Sequence, residues 1–229
     1  MSGESGRSLI TPEIFETETE AFQAASTQLV NVISSSIAMR NTCTLVLAGG
    51  NSVHSVMRLA LQCDIDWSLV HLVLADERCL PVGHADRNDS ALTALIELAS
   101  TVHRPVVHGI PAELGPYLGA EKFSEQLAAI GHPDIALMGV ADDGHIASLF
   151  PDSTALSASG EAVSVTDRAK EPRERVSCSL AYLSHATYRI ALQTGHNKRD
   201  IFVRLQQGER LPLALFSPTH WFMDYNATR

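Results

Sequence analysis

The residues best suited to chemistry lie between Asp134 and Pro151, where an apolar run ends in two carboxylates, a glycine and a histidine. A run of this kind is typical of a strand covered on both faces, so it predicts a buried strand that leads into a loop. His145 in that loop carries the side chain that titrates near neutral pH, and Asp143 can orient its ring. We therefore expect His145 to act as a general base supported by Asp143.

Three further loops carry polar or charged residues directly after a predicted strand. They are Gly49 to Ser52, Asp76 to Arg78, and Gly195 to Lys198. In an open α/β sheet the ligand crevice lies outside the carboxyl ends of the strands, so we expect these loops to converge with the His145 loop. Free backbone N–H groups at the strand-to-helix turn of Gly49 to Ser52 suit a phosphate.

Each of these loops also has a simpler interpretation. Gly49 to Ser52 fits a tight turn in which Ser52 caps the following helix, and Asp76 to Arg78 fits a solvated loop with a local ion pair. Arg175 and Lys198 are the cations that we expect near a phosphate, although most such residues are surface charge. These residues alone leave the alternatives open.

Several common catalytic motifs are absent from the sequence. It contains no G-x-G-x-x-G, no P-loop motif and no G-x-S-x-G nucleophile elbow. Its four cysteines form no C-x-x-C pair, and no histidine lies near them at metal-ligand spacing. We therefore expect reduced thiols and no metal. Chemistry at His145 is therefore expected to use water, without a covalent intermediate.

The composition limits the class of protein. The chain has 229 residues, 45% of them hydrophobic, and a formal net charge of -9, which opposes nonspecific attraction to nucleic acid or anionic membranes. Neither an apolar leader nor a membrane-length run is present in the sequence, so we expect a cytoplasmic protein. Residues 1–10 are expected to be a flexible N-terminus, and residues 11–229 a single domain.

Strand-length apolar runs alternate with amphipathic helix-length stretches, which predicts βα units. The expected fold is α/β, a single Rossmann-like three-layer domain with a largely parallel sheet flanked by helices. A first helix is predicted from a Thr11 cap, with Pro12 at its first position, to about Met39. The other predicted helices follow Ser52 and span 90–100, 114–130 and about 197–206. The predicted strands are 43–48, 69–75, 134–139, 162–166, 176–180, 187–193 and, more weakly patterned, 213–217.

The loop from Asp142 to Pro151 resembles the D-G-H-x-x-S-L-F-P signature of 6-phosphogluconolactonases. The similarity covers nearly the whole chain after about residue 10, in the same order as in that family. The further similar segments are Leu45 to Ser52, Ala75 to Arg78 with Pro81 and Asn88, Arg175 to Ser177, Gly195 to Lys198, Pro212, and Trp221 to Asp224 with Ala227.

The resemblance implies hydrolysis of 6-phospho-D-glucono-1,5-lactone to 6-phosphogluconate in the oxidative pentose phosphate route. His145 would deprotonate the attacking water while Asp143 holds the imidazole. No metal or organic cofactor is implied, and the expected partner is a small phosphorylated sugar lactone bound by a monomer or small homo-oligomer. The residues expected to hold the substrate and its phosphate are Gly49, Gly50, Asn51, Ser52, Asp76, Arg78, Arg175 and Lys198.

Two related functions remain as alternatives. Glucosamine-6-phosphate deaminase shares the fold and an Asp-Gly-His loop, but it normally places a glutamate where this chain has Phe150, and a phenylalanine cannot shuttle protons. A noncatalytic sugar-phosphate sensor domain is the second alternative, although it would not require His145.

The chain departs from the family pattern at four places. Ala48 stands where serine is usual, Asn51 to Val53 replaces Ser-Thr-Pro, Ala141 replaces glycine, and Arg87 replaces the serine of a Ser-Asn pair. These changes favour altered affinity or substrate preference over lost chemistry.

Overall fold

A computed structural model of the chain describes residues 10–99, 101–166 and 171–229. The strands are β1 Glu13–Phe15, β2 Cys43–Leu47, β3 Val70–Leu74, β4 Asp76–Arg78, β5 Val106–His108, β6 Ile135–Gly139, β7 Ala162–Thr166, β8 Glu174–Cys178, β9 Tyr188–Gln193 and β10 His220–Asp224. The α-helices are α1 Glu18–Arg40, α2 Asn51–Ala60, α3 Asn88–Leu98, α4 Pro116–Ile130, α5 Leu180–Ser184, α6 Arg199–Gln206 and α7 Pro212–Phe216.

Seven strands form a parallel sheet in the order β1-β10-β9-β6-β2-β3-β5. Strands β2 and β6 lie at its centre and are almost entirely buried, as their largely apolar sequences predict. Helices flank the sheet, with α1 packed against α2 and β10. The predicted α/β architecture with a largely parallel sheet is therefore confirmed. None of the described helices is long and apolar enough to cross a membrane.

A second, antiparallel sheet of three strands, in the order β4-β8-β7, lies beside the first. Strand β4 follows β3 after a single residue, Ala75, so the chain passes directly from one sheet into the other. The prediction of Asp76 to Arg78 as a loop was wrong, because β8 supplies these residues with a strand partner about a hundred positions later in the chain. Helix α4 packs against β7 and β8.

The start of the first helix was also predicted wrongly. Thr11 does not cap it; α1 begins at Glu18, and Thr17 and Glu20 form a reciprocal capping box. The residues before that cap form the edge strand β1, which pairs with β10. A local cap signal at Thr11 and Pro12 was therefore outweighed by the stronger capping box and by pairing with the far end of the chain.

The strand predicted over Leu213 to Ser217 is likewise wrong. This apolar segment forms the short helix α7. The last strand of the chain is instead β10, which follows α7 and lies between β1 and β9 in the sheet. A run of five apolar residues does not distinguish a buried strand from a buried helical turn. Other predicted elements agree with the structure within a few residues at their ends. Of the predicted N-terminal segment 1–10, residues 1–9 lie outside the described residues.

Candidate active site

A cleft of about 480 Å³ opens at the carboxyl ends of β2, β6 and β9, with the small sheet along one side. The four loops expected to converge all contribute to its lining. The predicted site residues that line it are Gly49, Gly50, Asn51, Ser52, Asp76, Arg78, His145, Arg175 and Lys198.

Asp143 supports His145 at the edge of the cleft. The imidazole Nδ1 lies 2.6 Å from Asp143 Oδ1, and the backbone N–H of His145 donates to the same oxygen at 3.2 Å. In the tautomer that donates from Nδ1 to Asp143, Nε2 carries the lone pair that a general base needs. The His145 side chain is 15% exposed, so it is largely shielded but still reached by solvent.

Gly144 allows the tight turn that brings the two side chains together. Its φ of +88° lies in the region that favours glycine, and a Cβ there would lie 3.1 Å from Leu211 Cδ1. Hydrogen bonds close the turn, from Ala141 N–H to the His145 carbonyl and from Gly144 N–H back to Ala141.

Phe150 packs against the catalytic candidate. The centroid of its ring lies 4.5 Å from that of the His145 ring. The Arg175 guanidinium lies 5.6 Å from the same Phe150 centroid. A nonpolar ring therefore occupies the position where the deaminase alternative requires a carboxylate.

The Gly49 to Ser52 loop forms the N-terminal end of α2. Gly50, with φ of +105°, is the residue that precedes the helix, so Ser52 is not its cap; the Ser52 hydroxyl faces Thr194 at 3.4 Å. Glycine has no side chain with which to cap the first turn, so the N–H groups there suit an anion. Position 49 has room only for glycine, because a Cβ there would lie 2.2 Å from Asn88 Oδ1.

Asp76 lies in the cleft wall but is 5% exposed. Its Oδ2 accepts the Ser148 hydroxyl at 2.6 Å, and its Oδ1 lies 3.4 Å from the Asn88 amide nitrogen, which donates to it. Asp76 thus connects the small sheet to the loop that follows His145.

Arg78 and Arg175 lie opposite each other across β4 and β8, which brings two cations to one wall. Arg175 donates from Nε to the Pro172 carbonyl at 3.1 Å, and its Nη1 lies 3.5 Å from Ser148 Oγ. Arg78 donates from Nη1 to the Asp86 carbonyl, while its buried Nε has no partner among the described residues. An unpaired buried donor at a cleft is suited to a ligand oxygen.

Lys198 also lines the cleft, from the short 3₁₀ turn after β9. Its ammonium pairs with Asp142, and the Asn197 amide donates to the same carboxylate at 2.8 Å. Burial lowers the pKa of Lys198 in spite of this acidic neighbour.

Four residues with polar side chains line the cleft but were not predicted as site residues. Asn197 adjoins Lys198, and Asn88 belonged to a family-like segment, so both had a signal in the sequence. Glu18 had none, because it lies in the first turn of the helix whose start was misplaced. The four are Glu18, Asn88, Thr194 and Asn197.

Metal and thiol chemistry find no support among residues 10–99, 101–166 and 171–229. No group of three or more His, Cys, Asp and Glu side chains there could hold a metal ion. The four cysteines are unpaired and none lines the cleft. Burial raises the pKa of the Cys43 thiol to about 12 and that of Cys79 to about 11, which disfavours the nucleophilic thiolate.

Comparisons with known proteins agree with the resemblance seen in the sequence. The model of the glucosamine-6-phosphate isomerases/6-phosphogluconolactonase family matches residues 16–224. The 6-phosphogluconolactonase of Mycobacterium leprae is 33% identical over 238 residues, covering 94% of this chain and 96% of its own. That of Neisseria meningitidis is 28% identical over 203 residues, covering 85% and 87%.

The fold agrees as well. The crystal structure of 6-phosphogluconolactonase from Thermotoga maritima, 20% identical, matches with a TM-score of 0.83 over 93% of this chain and 100% of that chain. The chain therefore belongs to the 6-phosphogluconolactonase family, within the wider family of glucosamine-6-phosphate isomerases and 6-phosphogluconolactonases.

Proposed function

We propose that this chain hydrolyses 6-phospho-D-glucono-1,5-lactone to 6-phospho-D-gluconate, with His145 as the general base. The observation that carries the proposal is the 2.6 Å pair of His145 Nδ1 and Asp143 in a cleft that also holds three cations. Those cations, Arg78, Arg175 and Lys198, match the charge of a phosphorylated substrate.

The proposed reaction begins when His145 Nε2 takes a proton from water as the water oxygen attacks the lactone carbonyl. The resulting tetrahedral oxyanion collapses, and the bond from C1 to the ring oxygen breaks. The imidazolium returns its proton to that oxygen, which becomes the C5 hydroxyl of the product. Asp143 stabilises the imidazolium between the two transfers, because its carboxylate already accepts from Nδ1.

The substrate phosphate is proposed to bind between the cations and the start of α2. Gly49 to Ser52 supplies backbone N–H groups, and the helix dipole adds positive potential there. Lys198 already pairs with Asp142, so phosphate would compete with that carboxylate for the ammonium. Asp76 is proposed to support the site through Ser148 and Asn88.

Phe150 favours hydrolysis over deamination. A deaminase needs a proton-transfer group at this position, whereas the ring here packs against His145. The proposal includes residues 11–229 as one catalytic domain, in a cytoplasmic monomer or small homo-oligomer, with no cofactor and no nucleic-acid or membrane partner.

The test measures both reactions with the same preparation. Freshly made 6-phosphogluconolactone is incubated with the protein and the spontaneous rate is subtracted, while ammonia release from glucosamine 6-phosphate is followed in parallel. We expect accelerated lactone loss and no ammonia. Ammonia without lactone hydrolysis would reverse the assignment, and tight binding of 6-phosphogluconate with neither reaction would favour a sensor.

A further inference from the structure

Arg87 is a buried arginine directly before α3, and it does not line the cleft. Its Nη1 donates to the Leu80 carbonyl at 2.8 Å and its Nη2 to the Ile110 carbonyl at 3.0 Å. The same guanidinium pairs with Asp89 at 2.7 Å and with Glu113 at 3.3 Å. One side chain thus joins the loop after β4, the segment before α4 and the first turn of α3.

Glu77 is a fully buried carboxylate, 3.9 Å from the Arg87 Nε. Its Oε1 accepts backbone N–H groups from Arg78 at 2.9 Å and Asn88 at 2.8 Å, and its Oε2 accepts that of Asp89 at 2.9 Å. It therefore caps α3 from outside the helix, since Arg87 at the cap position makes no capping bond. Burial raises the pKa of Glu77, and the three N–H groups oppose that rise, so a cation beside the carboxylate adds to their effect.

Two of the residues whose backbone N–H groups donate to Glu77, Arg78 and Asn88, also line the cleft. Arg78 carries a cation on one wall, and Asn88 donates from its amide to the Asp76 carbonyl at 2.8 Å. The Asn88 side chain also fills the space directly over Gly49, in the phosphate loop. A shift in the Glu77 carboxylate would therefore reach both the arginine wall and the phosphate loop.

We propose that Arg87 is a positioning residue: it holds the Glu77 carboxylate in place and so fixes Arg78 and Asn88 for phosphate binding, without touching the substrate. This inference rests on the proposed function for the identity of the ligand. It concerns affinity and not the chemical step, because the residues that Glu77 holds, Arg78 and Asn88, are assigned to phosphate binding and not to proton transfer. Loss of Arg87 is thus expected to raise KM and to leave kcat nearly unchanged.

The first variant is Arg87→Met, which removes the cation but keeps an unbranched apolar side chain. We expect KM for the lactone to rise about tenfold, as for loss of a charge-assisted contact, with kcat within about threefold of wild type. The dissociation constant of 6-phosphogluconate, measured by calorimetry, should rise in parallel.

The second variant adds Glu77→Gln to Arg87→Met. A neutral carboxamide has no charge to compensate, and its oxygen can still accept the N–H groups of Arg78 and Asn88, although its nitrogen cannot accept the Asp89 N–H as Oε2 does. We expect the double variant to recover part of the lost affinity. A general loss of packing around Arg87 would not be repaired by a change at Glu77, so the recovery separates positioning from stability.

Arg189→Met is the matched control. Arg189 also donates to backbone carbonyls, those of Ala186, Phe216 and Ser217, but it lies near the start of β9, away from the cleft. We expect this variant to lower Tm and to leave KM unchanged.

The outcomes distinguish this inference from the proposed function. A wild-type protein without lactonase activity would contradict the proposed function, whereas an active wild type with unchanged KM in Arg87→Met would overturn the role of Arg87. An equal rise of KM in Arg189→Met, or no recovery in the double variant, would also overturn it. If Arg87→Met fails to fold, Arg87→Lys takes its place, with an expected KM rise of about threefold because lysine lacks the planar fork; an unchanged KM there counts against the inference.

Discussion

The two walls of the cleft are built in different ways. On one wall, His145 and Asp143 are two residues apart and meet through a single glycine turn after β6. On the other, Arg78 and Arg175 are almost a hundred residues apart and meet only because β4 and β8 pair. The first wall is a local structure on a parallel sheet, while the second depends on a separate antiparallel sheet.

The difference also extends to burial. Asp143 is 39% exposed, whereas Asp76 on the second wall and its neighbour Glu77 in β4 are buried and accept hydrogen bonds from several neighbours. A change to the local wall should therefore alter the chemical step with little effect on folding. A change to the buried wall should alter stability and binding, because unsatisfied buried polar groups are costly.

The strongest test of the local wall is His145→Ala. Loss of the general base should lower kcat by about 10² to 10⁴, while binding of 6-phosphogluconate and the free energy of unfolding change little. Lactone hydrolysis in a stopped assay, corrected for the spontaneous rate, measures the effect. His185→Ala, which removes an exposed histidine away from the cleft, is the control and should keep full activity. A kcat near wild type in His145→Ala would reject the proposed mechanism.

Asp143→Asn should have a smaller effect on the same step. The amide keeps the size of the side chain but loses the charge that stabilises the imidazolium, so kcat should fall about 10- to 100-fold with KM preserved. Steady-state kinetics give both constants. A rise in KM with kcat unchanged would instead place Asp143 in substrate binding.

Ser148→Ala tests the buried wall through its stability. The change removes the hydroxyl that donates to Asp76 at 2.6 Å and leaves a buried carboxylate oxygen short of one partner. The free energy of unfolding should fall by about 1 to 3 kcal/mol. Urea denaturation measures the loss, and Ser157→Ala, an exposed hydroxyl bonded to the Thr154 carbonyl, is the matched control. Equal stability of the two variants would contradict the contrast between the walls.

The smallest effect concerns the pH dependence of binding through Lys198. Burial lowers the pKa of Lys198 below its ordinary value of 10.5, so the ammonium is lost at a lower pH than for a free lysine. Because only the protonated form attracts phosphate, the affinity for 6-phosphogluconate should weaken as pH rises through that lowered pKa. Calorimetry with the product avoids alkaline hydrolysis of the lactone.

Lys198→Arg sharpens this pH experiment. Arginine stays protonated throughout the range, so the alkaline weakening should disappear while affinity at neutral pH stays within about threefold of wild type. The same alkaline weakening in Lys198→Arg would show that another group titrates.

Much of the fold followed from the sequence because its signals are local. The buried strands β2, β3 and β6 are short apolar runs, and the loops after them had to emerge at one edge of a parallel sheet. The errors arose where long-range pairing decided the outcome. Strand β1 exists because β10 lies beside it, and β4 because β8 lies beside it.

The sequence by itself determined the reactive loop of this protein, since Asp143, Gly144 and His145 are close enough along the chain for one turn to set their geometry. It also determined the family, through the order of the matching segments. Only the tertiary structure decided which cations face that loop and how the buried carboxylates Asp76 and Glu77 are compensated. Those contacts span ten positions between Glu77 and Arg87 and 72 between Asp76 and Ser148, so a single local turn does not encode them.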